Sequence, residues 1–427
     1  MLHINDPAVC ALLLKGCFGL EKESLRVTPE GNFAHTPHPF DDKHIVRDFC
    51  ENQTEINTPV VNSAHEAIES LLYYSRRIQR TLAALQPAEL IWPLSNPPYI
   101  MDERDVPVAQ FYGEDASKTA YREYLSDRYG RYKMTLCGIH VNYSFAEELL
   151  RADFALSGET DFSEYKSKLY LNVAENAAFY GWIMTAVTAA SPVMDTSYVE
   201  KGHLGSEAVL GMASVRCSEL GYWNYFTPMF DYTDIRRYAD SIQYYVDDGL
   251  LAFPTELYYP IRLKPEGKNN LKTLREKGVD HIELRMVDLN PLCECGLDER
   301  DLRFAQLLLV WLACIPPKGL TRKDQVQAAQ NFKNAAHFDL KTVKIVGTDG
   351  HATSVADAAL AVLAQMKAFY AAYPNDVLDV LAFEEEKFLK PETRYAWIIR
   401  HDYPNHFVYH GLRLARQNQL LALEAEE

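Results

Sequence analysis

The chain has 427 residues, 48% of them hydrophobic, and a formal charge of -16 from 43 Lys and Arg against 59 Asp and Glu. That length buries one large core or two ordinary ones. So acidic a balance repels phosphate backbones and excludes a general nucleic-acid binder, while leaving room for a local basic pocket that takes a nucleotide. A bound divalent cation would offset part of the negative charge.

The opening "MLHINDPAVCALLLKGC" has no basic leader, and its apolar run is cut by Lys15, so no signal peptide is expected. "LEKESLRV", the turn "TPEG" and "NFAH" predict a hairpin over residues 15–35. Residues 63–86 predict an amphipathic helix: Ile68, Leu71, Leu72, Ser75 and Ile78 fall at helical spacing, with Ser63 as N-cap. "WPLSNPPYI" is a proline-rich loop, "CGIHVNYSF" a strand, and helices are expected from about Phe162 to Ala190. The stretch 196–212 holds three glycines and is either a lid or an ordinary surface loop. "HIELRMVDLNP" (281–291) is a strand ended by Asn290-Pro291. From about Leu302 the chain is mostly helical, with helices expected at 353–371 and 376–389 and a break near 317. The apolar run from Leu307 is too short to span a bilayer. Eight scattered cysteines without a Cys-x-x-Cys pair suit reduced thiols, so a cytoplasmic location is expected. Short strands mixed with longer helices predict an α+β fold, and residues 1–427 are expected to form a single domain with a helical portion from about 317.

Four short stretches share a logic. Side chains at i and i+2 of a strand face the same way. Glu21 and Glu23 therefore share a face, with Lys22 on the other; His140 shares one with Asn142, and Glu283 with Arg285. Asp48 and Glu55 bracket a polar run in which Glu55 alternates with Ile56. Taken singly, each acid is an ordinary solvated strand face, His140 a core histidine, and Glu283 with Arg285 an ion-pair ladder. If the faces converge, they line one concave surface, and so many carboxylates cannot all ionise there without cations. Oxygen-rich donors with one imidazole suit Mg²⁺ or Mn²⁺, and Mg²⁺ shares its coordination with nucleotide phosphates. Arg285 would then be a fixed cation beside a phosphate. No Walker A loop, dinucleotide glycine fingerprint or nucleophile elbow is present.

"GLEKESLRV" followed by "RDFCENQTEINTPV" resembles the opening of the bacterial-type glutamate–cysteine ligases, also called γ-glutamylcysteine synthetases. The likeness continues in order through "WPLSNPPYI", "YREYLSDRYG", "GIHVNYS", "SVRCSELGY", "ELYYPIR" and "HIELRMVDLNP", over about the first 300 residues, and more loosely at "ETRYAWIIR". The resemblance implies a glutamine synthetase-like core, an antiparallel sheet curved into a half-funnel with helices outside. It implies a reaction in which ATP phosphorylates the γ-carboxylate of glutamate and the amine of cysteine attacks the acyl phosphate. It implies two or three Mg²⁺ or Mn²⁺ ions on Glu21, Glu23, Asp48, Glu55, His140 and Glu283, with Glu283 and Arg285 catalytic and Arg285 on the ATP phosphoryl group. It places the acceptor pocket, and so the substrate-binding residues, on Phe49, Tyr121, Arg122, Arg216, Tyr222 and Tyr258. Against that resemblance the chain is shorter than the longer members of the family toward its C-terminal end, and no trailing ATP-grasp domain is expected. Neither nucleic-acid nor membrane partners are expected, and oligomeric state is not legible. The rival expectations are the same ligase chemistry with another small amine, a phosphagen-type kinase, and a non-catalytic nucleotide or metal sensor.

Overall fold

Residues 1–403 and 405–425 are described by a computed structural model. Its strands are β1 (Gly16–Val27), β2 (Ile45–Arg47), β3 (Gln53–Asn57), β4 (Leu90–Ile91), β5 (Ile139–Phe145), β6 (Met194–Asp195), β7 (Glu207–Ala208), β8 (Ile261–Lys264), β9 (His281–Val287), β10 (Lys344–Val346) and β11 (Ala352–Ser354). Seven of them form one open antiparallel sheet in the order β2-β3-β1-β5-β9-β8, with β4 pairing the far end of β1. The expected hairpin at 15–35 is only half present. β1 turns at Thr28–Asn32, where Gly31 has a φ of 93° that a side chain would resist, but returns as a single bridge from Val27 to Phe33. The strong partners of β1 are instead β3 and β5.

The expected helix at 63–86 spans Ala64–Ala83, and Ser63 Oγ accepts the Glu66 amide at 3.2 Å. Leu71, Ile78 and Leu82 are buried where it covers the back of the sheet. Lys22 does face this side, donating to Ser75 Oγ at 3.3 Å. Helices Phe162–Tyr180 and Trp182–Thr188 back β9, and helix Glu299–Cys314, apolar nearly all round, lies between them and the later helices. Val355–Phe369 and Asn375–Leu389 match the two expected C-terminal helices, and both pack on Glu299–Cys314. One buried apolar cluster therefore runs from Leu2 to Ala415. The glycine-containing stretch at 196–212 is the β6–β7 hairpin, held by the Asp195 carboxylate, which accepts from the Ser197 and Gly205 amides at 2.9 and 3.0 Å. No described helix is long and apolar enough to cross a membrane.

Candidate active site

Side-chain alternation along β1, β3, β5, β8 and β9 sends one set of residues to the uncovered face of the sheet. There they line a cavity of about 240 Å³. All of the residues singled out from sequence reach it. Glu21 and Glu23 come from β1, Glu55 from β3, His140 from β5, and Glu283 and Arg285 from β9. Asp48 and Phe49 come from the turn after β2, Tyr121 and Arg122 from helix Ala116–Tyr129, and Arg216, Tyr222 and Tyr258 from irregular segments.

Register explains the crowding. Glu21 sits across from His140, and Glu23 directly across from Glu55, a like-charged pair that ordinarily destabilises a sheet. A bulge in β9 makes Arg285 and Met286 oppose His140 alone, since Val287 pairs Ile139 and Leu284 pairs Val141. Arg285 Nη1 consequently donates to Glu283 Oε1 at 3.0 Å and lies 3.4 Å from His140 Nδ1. The bulge also lets Met286 line an adjoining cavity with Arg216 and Tyr222.

Several of these charges are unpaired. Glu23, Asp48 and Glu55 have no Lys or Arg nitrogen within 4.0 Å among the described residues. Burial pushes the Glu23 carboxyl up to about 8, Asp48 adding to the rise, and burial also raises Asp48 and, strongly, Glu55. Glu283 is the opposite case: burial is outweighed by Arg285, Lys264 and Arg262, which hold it well below the ordinary carboxylate range. Burial likewise opposes Glu21, but its His140 hydrogen bond leaves it lowered. His140 is brought down to about 4 by burial and then by Arg285, so it is neutral at physiological pH. Its Nδ1 donates to Glu21 Oε2 at 2.9 Å, which leaves a lone pair on Nε2; that nitrogen is buried without a hydrogen-bond partner and lies 3.7 Å from Glu23 Oε1.

The residues fit divalent cations. Glu283 Oε2 is also buried without a partner, and ligand atoms of Glu21, His140 and Glu283 lie within 4.8 Å of one another. Five carboxylates and one neutral imidazole make a hard, oxygen-rich donor set. In the same cavity, Arg122, Arg216 and Arg262 have no carboxylate within 4.0 Å among the described residues. Arg122 is anchored by donating from Nε to the Asp48 carbonyl at 2.6 Å and lies over the Phe111 ring at 4.7 Å. The Arg216 guanidinium lies flat against Gly138, where a Cβ would come within 2.3 Å of its Cζ. Tyr222 and Tyr258 form a tilted ring pair with centroids 4.2 Å apart.

Arg262 and Lys264 are not among the residues anticipated from sequence. They alternate with Ile261 and Leu263 on β8, face the cavity, and Lys264 Nζ lies 3.3 Å from Glu283 Oε1. The signal is present: "IRLK" has the same period of two as the other four stretches, but it is four residues long and flanked by prolines. Leu125, Met134 and Leu136, which close the cavity beside the tyrosines, carry no such signal.

An open antiparallel sheet with helices behind it and a charged, concave front defines a glutamine synthetase-like α+β protein. The family model for glutamate-cysteine ligase matches residues 1–249 and 225–335, and the chain belongs to that family. A glutathione biosynthesis bifunctional protein GshAB of Listeria monocytogenes is 34% identical over 410 residues, covering 92% of this chain and 53% of that protein. A protein of the same name from Clostridium perfringens is 32% identical over 400 residues, covering 90% and 50%. The chain thus spans about half the length of the curated relatives it matches. Among solved structures, a glutamate–cysteine ligase of Francisella tularensis in complex with AMP shares the fold, with a TM-score of 0.87 at 24% identity over 96% of this chain and 90% of that one. A bifunctional glutathione synthetase of Pasteurella multocida superposes with a TM-score of 0.85 at 25% identity, over 99% of this chain and 54% of that one.

Proposed function

We propose that this chain is an ATP- and Mg²⁺-dependent ligase that joins the γ-carboxyl of glutamate to the amine of cysteine through a γ-glutamyl phosphate. The observation that carries this reading is the unpaired charge in one cavity: among the described residues, acids on β1 and β3 with no Lys or Arg nitrogen within 4.0 Å, and arginines with no carboxylate within 4.0 Å. Acids so placed call for metal ions, and arginines so placed call for anionic substrates. Family membership and relatives named for glutathione biosynthesis supply the substrates.

In this reading Glu21, Glu23, Asp48, Glu55, His140 and Glu283 hold two or three Mg²⁺ or Mn²⁺ ions, whose chemistry is to neutralise phosphate charge. Arg285, held beside Glu283, stabilises the phosphoryl group in transfer. Arg216, which lines one cavity with Arg285, takes the α-carboxylate of glutamate in its planar fork rather than that of the acceptor, and Phe49, Tyr121, Arg122, Tyr222 and Tyr258 enclose the acceptor. Arg262 and Lys264 add positive charge at the phosphate side, where Lys264 already approaches Glu283. A second cleft, lined by Thr58, Asn142 and His281, opens off Glu21 and gives a nucleoside a place beside the acids. Residues 1–427 act as one catalytic unit in this proposal, with the continuous apolar cluster as its support. All eight cysteines are free, which suits a cytoplasmic enzyme.

Incubation with ATP, Mg²⁺, glutamate and a panel of amines, followed by ADP release and product mass, tests the assignment. Glutamate-dependent ADP release with a γ-glutamylcysteine product is expected. Product with another amine but none with cysteine would change the acceptor, and phosphoryl transfer independent of glutamate would replace the ligase by a kinase.

A further inference from the structure

Arg216 belongs to neither helix nor strand, yet its guanidinium is buried and closely placed against Gly138. Something outside its own segment must hold it. The support begins at Asp288, the residue immediately after β9, which is 1% exposed. Its Oδ2 accepts from the Ala190 amide at 3.0 Å and from Ser191 Oγ at 2.7 Å, and its Oδ1 accepts from Ser214 Oγ at 2.9 Å. Each serine passes the constraint on. Ser191 Oγ accepts the Val215 amide at 3.2 Å, and Ser214 Oγ accepts the Cys217 amide at 3.2 Å. These two amides flank Arg216 on either side. The Ser191 amide also donates to the Ala213 carbonyl at 2.9 Å, so the two loops are clasped directly as well.

No Lys, Arg or His nitrogen lies within 4.0 Å of the Asp288 carboxylate among the described residues. A buried carboxylate without an ion-pair partner costs free energy unless hydrogen bonds satisfy it. Here one amide and two hydroxyls do so, and all three belong to the loops that carry or clasp Arg216. Burial still raises the Asp288 carboxyl above its ordinary value, opposed by those bonds and by the charge of Arg216. The guanidinium itself reaches back to the same strand, with Nη1 donating to the Val287 carbonyl at 3.5 Å.

Glu283, Arg285 and Asp288 therefore stand on one continuous piece of backbone. Two face the cavity, and the third fixes an arginine that also lines it. We propose that Asp288 is a positioning residue that registers Arg216 against Glu283 and Arg285. The distance from the carboxylate clamp to the phosphoryl end is thereby matched to a dicarboxylic amino acid of one chain length. This inference rests on the ligase reading above. Glutamate and aspartate differ by one methylene, so a clamp allowed to drift should blur that difference, and displacement by about 1 Å costs on the order of a hundredfold in rate.

The test compares wild type with Asp288→Asn, Ser214→Ala, Arg216→Lys and the Asp288→Asn/Arg216→Lys double variant. For Asp288→Asn, KM for glutamate should rise by ~10-fold or more while KM for ATP and for cysteine stay within about twofold. The preference for glutamate over aspartate should narrow by a similar factor, with Ser214→Ala moving the same way by less. The double variant should be no worse than Arg216→Lys alone, because both act through one contact. A fall in kcat with unchanged KM for glutamate, an equal rise in all three KM values, or strict additivity would overturn the inference. Should Asp288→Asn not fold, Ser214→Ala decides by the same readouts. Absence of glutamate-dependent turnover in the wild type would remove the ligase reading; turnover with an unmoved glutamate KM in the variants would remove the positioning role alone.

Discussion

Two buried clusters of charge in this molecule look alike in composition and behave oppositely. In the first, on the concave face of the sheet, burial raises the Glu23, Asp48 and Glu55 carboxyls, Asp48 adds to the rise of the other two, and no Lys or Arg nitrogen lies within 4.0 Å of them among the described residues. In the second, where helix Asn375–Leu389 packs on Glu299–Cys314, Lys387 is 1% exposed. Its Nζ lies 2.7 Å from Asp301 Oδ1 and 2.8 Å from Glu384 Oε2, and it donates to the Val187 carbonyl at 3.0 Å. The second cluster holds its own cation and fastens two helices, although both Glu384 oxygens lack a hydrogen-bond partner there. The first is open, with a neutral imidazole and a carboxylate oxygen left without partners. Buried charge by itself is thus a poor marker of a site; what marks one is charge whose partners must come from outside.

The contrast can be broken at its closed end. Lys387→Met leaves Asp301 and Glu384 buried without their cation, and the loss of stability should be about 3–5 kcal/mol, read by denaturant unfolding. The activity of the folded fraction should change little, because the cluster touches no part of the cavity. A milder loss would mean that the helices do not depend on this lysine.

At the open end the expected order is reversed. Glu55→Gln should leave the fold intact and reduce glutamate-dependent ADP release by about a hundredfold or more, since it removes charge where the reaction needs it. Mg²⁺ at a hundredfold excess over its Kd should stabilise the wild type by about 2.7 kcal/mol. Lys387→Met should retain that increment and Glu55→Gln should lose most of it, as measured by thermal unfolding with and without chelator. Equal Mg²⁺ stabilisation of wild type and Glu55→Gln would contradict the metal assignment.

The smallest effect is a pH dependence. Burial raises the Glu384 carboxyl well above its ordinary value of 4.5, Lys387 opposing and Asp301 adding to the rise. The stability linked to this raised group is fully present below the ordinary carboxylate pKa and is lost as pH climbs through the folded-state value. Glu384→Gln removes that titration. Its Tm should fall less than that of the wild type between pH 5 and pH 9, by roughly a degree or two. Parallel Tm profiles would show that Glu384 titrates normally in the folded protein.

Much of the site is legible in the sequence because the sheet repeats one simple rule. Period-two spacing alone puts Glu21 with Glu23 and Glu283 with Arg285, and β1 and β9 keep those pairs on the cavity face. The same rule applied to "IRLK" yields Arg262 and Lys264, although four residues between prolines make a faint strand signal. Other features are not legible in principle. The bulge at Arg285–Met286 depends on pairing with β5, and it brings Met286 to the edge of the adjoining cavity against the simple alternation. The aim of Arg216 depends on Ser191, Ser214 and Asp288, which approach one another from three separate segments.

The sequence alone determined which residues share a strand face, where the amphipathic helix at Ser63 begins, and that acids outnumber bases. These follow from steric rules that act between neighbours along the chain. Only the tertiary structure decided that Glu21 meets His140, 119 residues away, that Glu23 faces Glu55, and that the acids and the arginines gather in one cavity. Coulomb energy and desolvation depend on distance through space and on exclusion of water, neither of which is written in spacing along the chain.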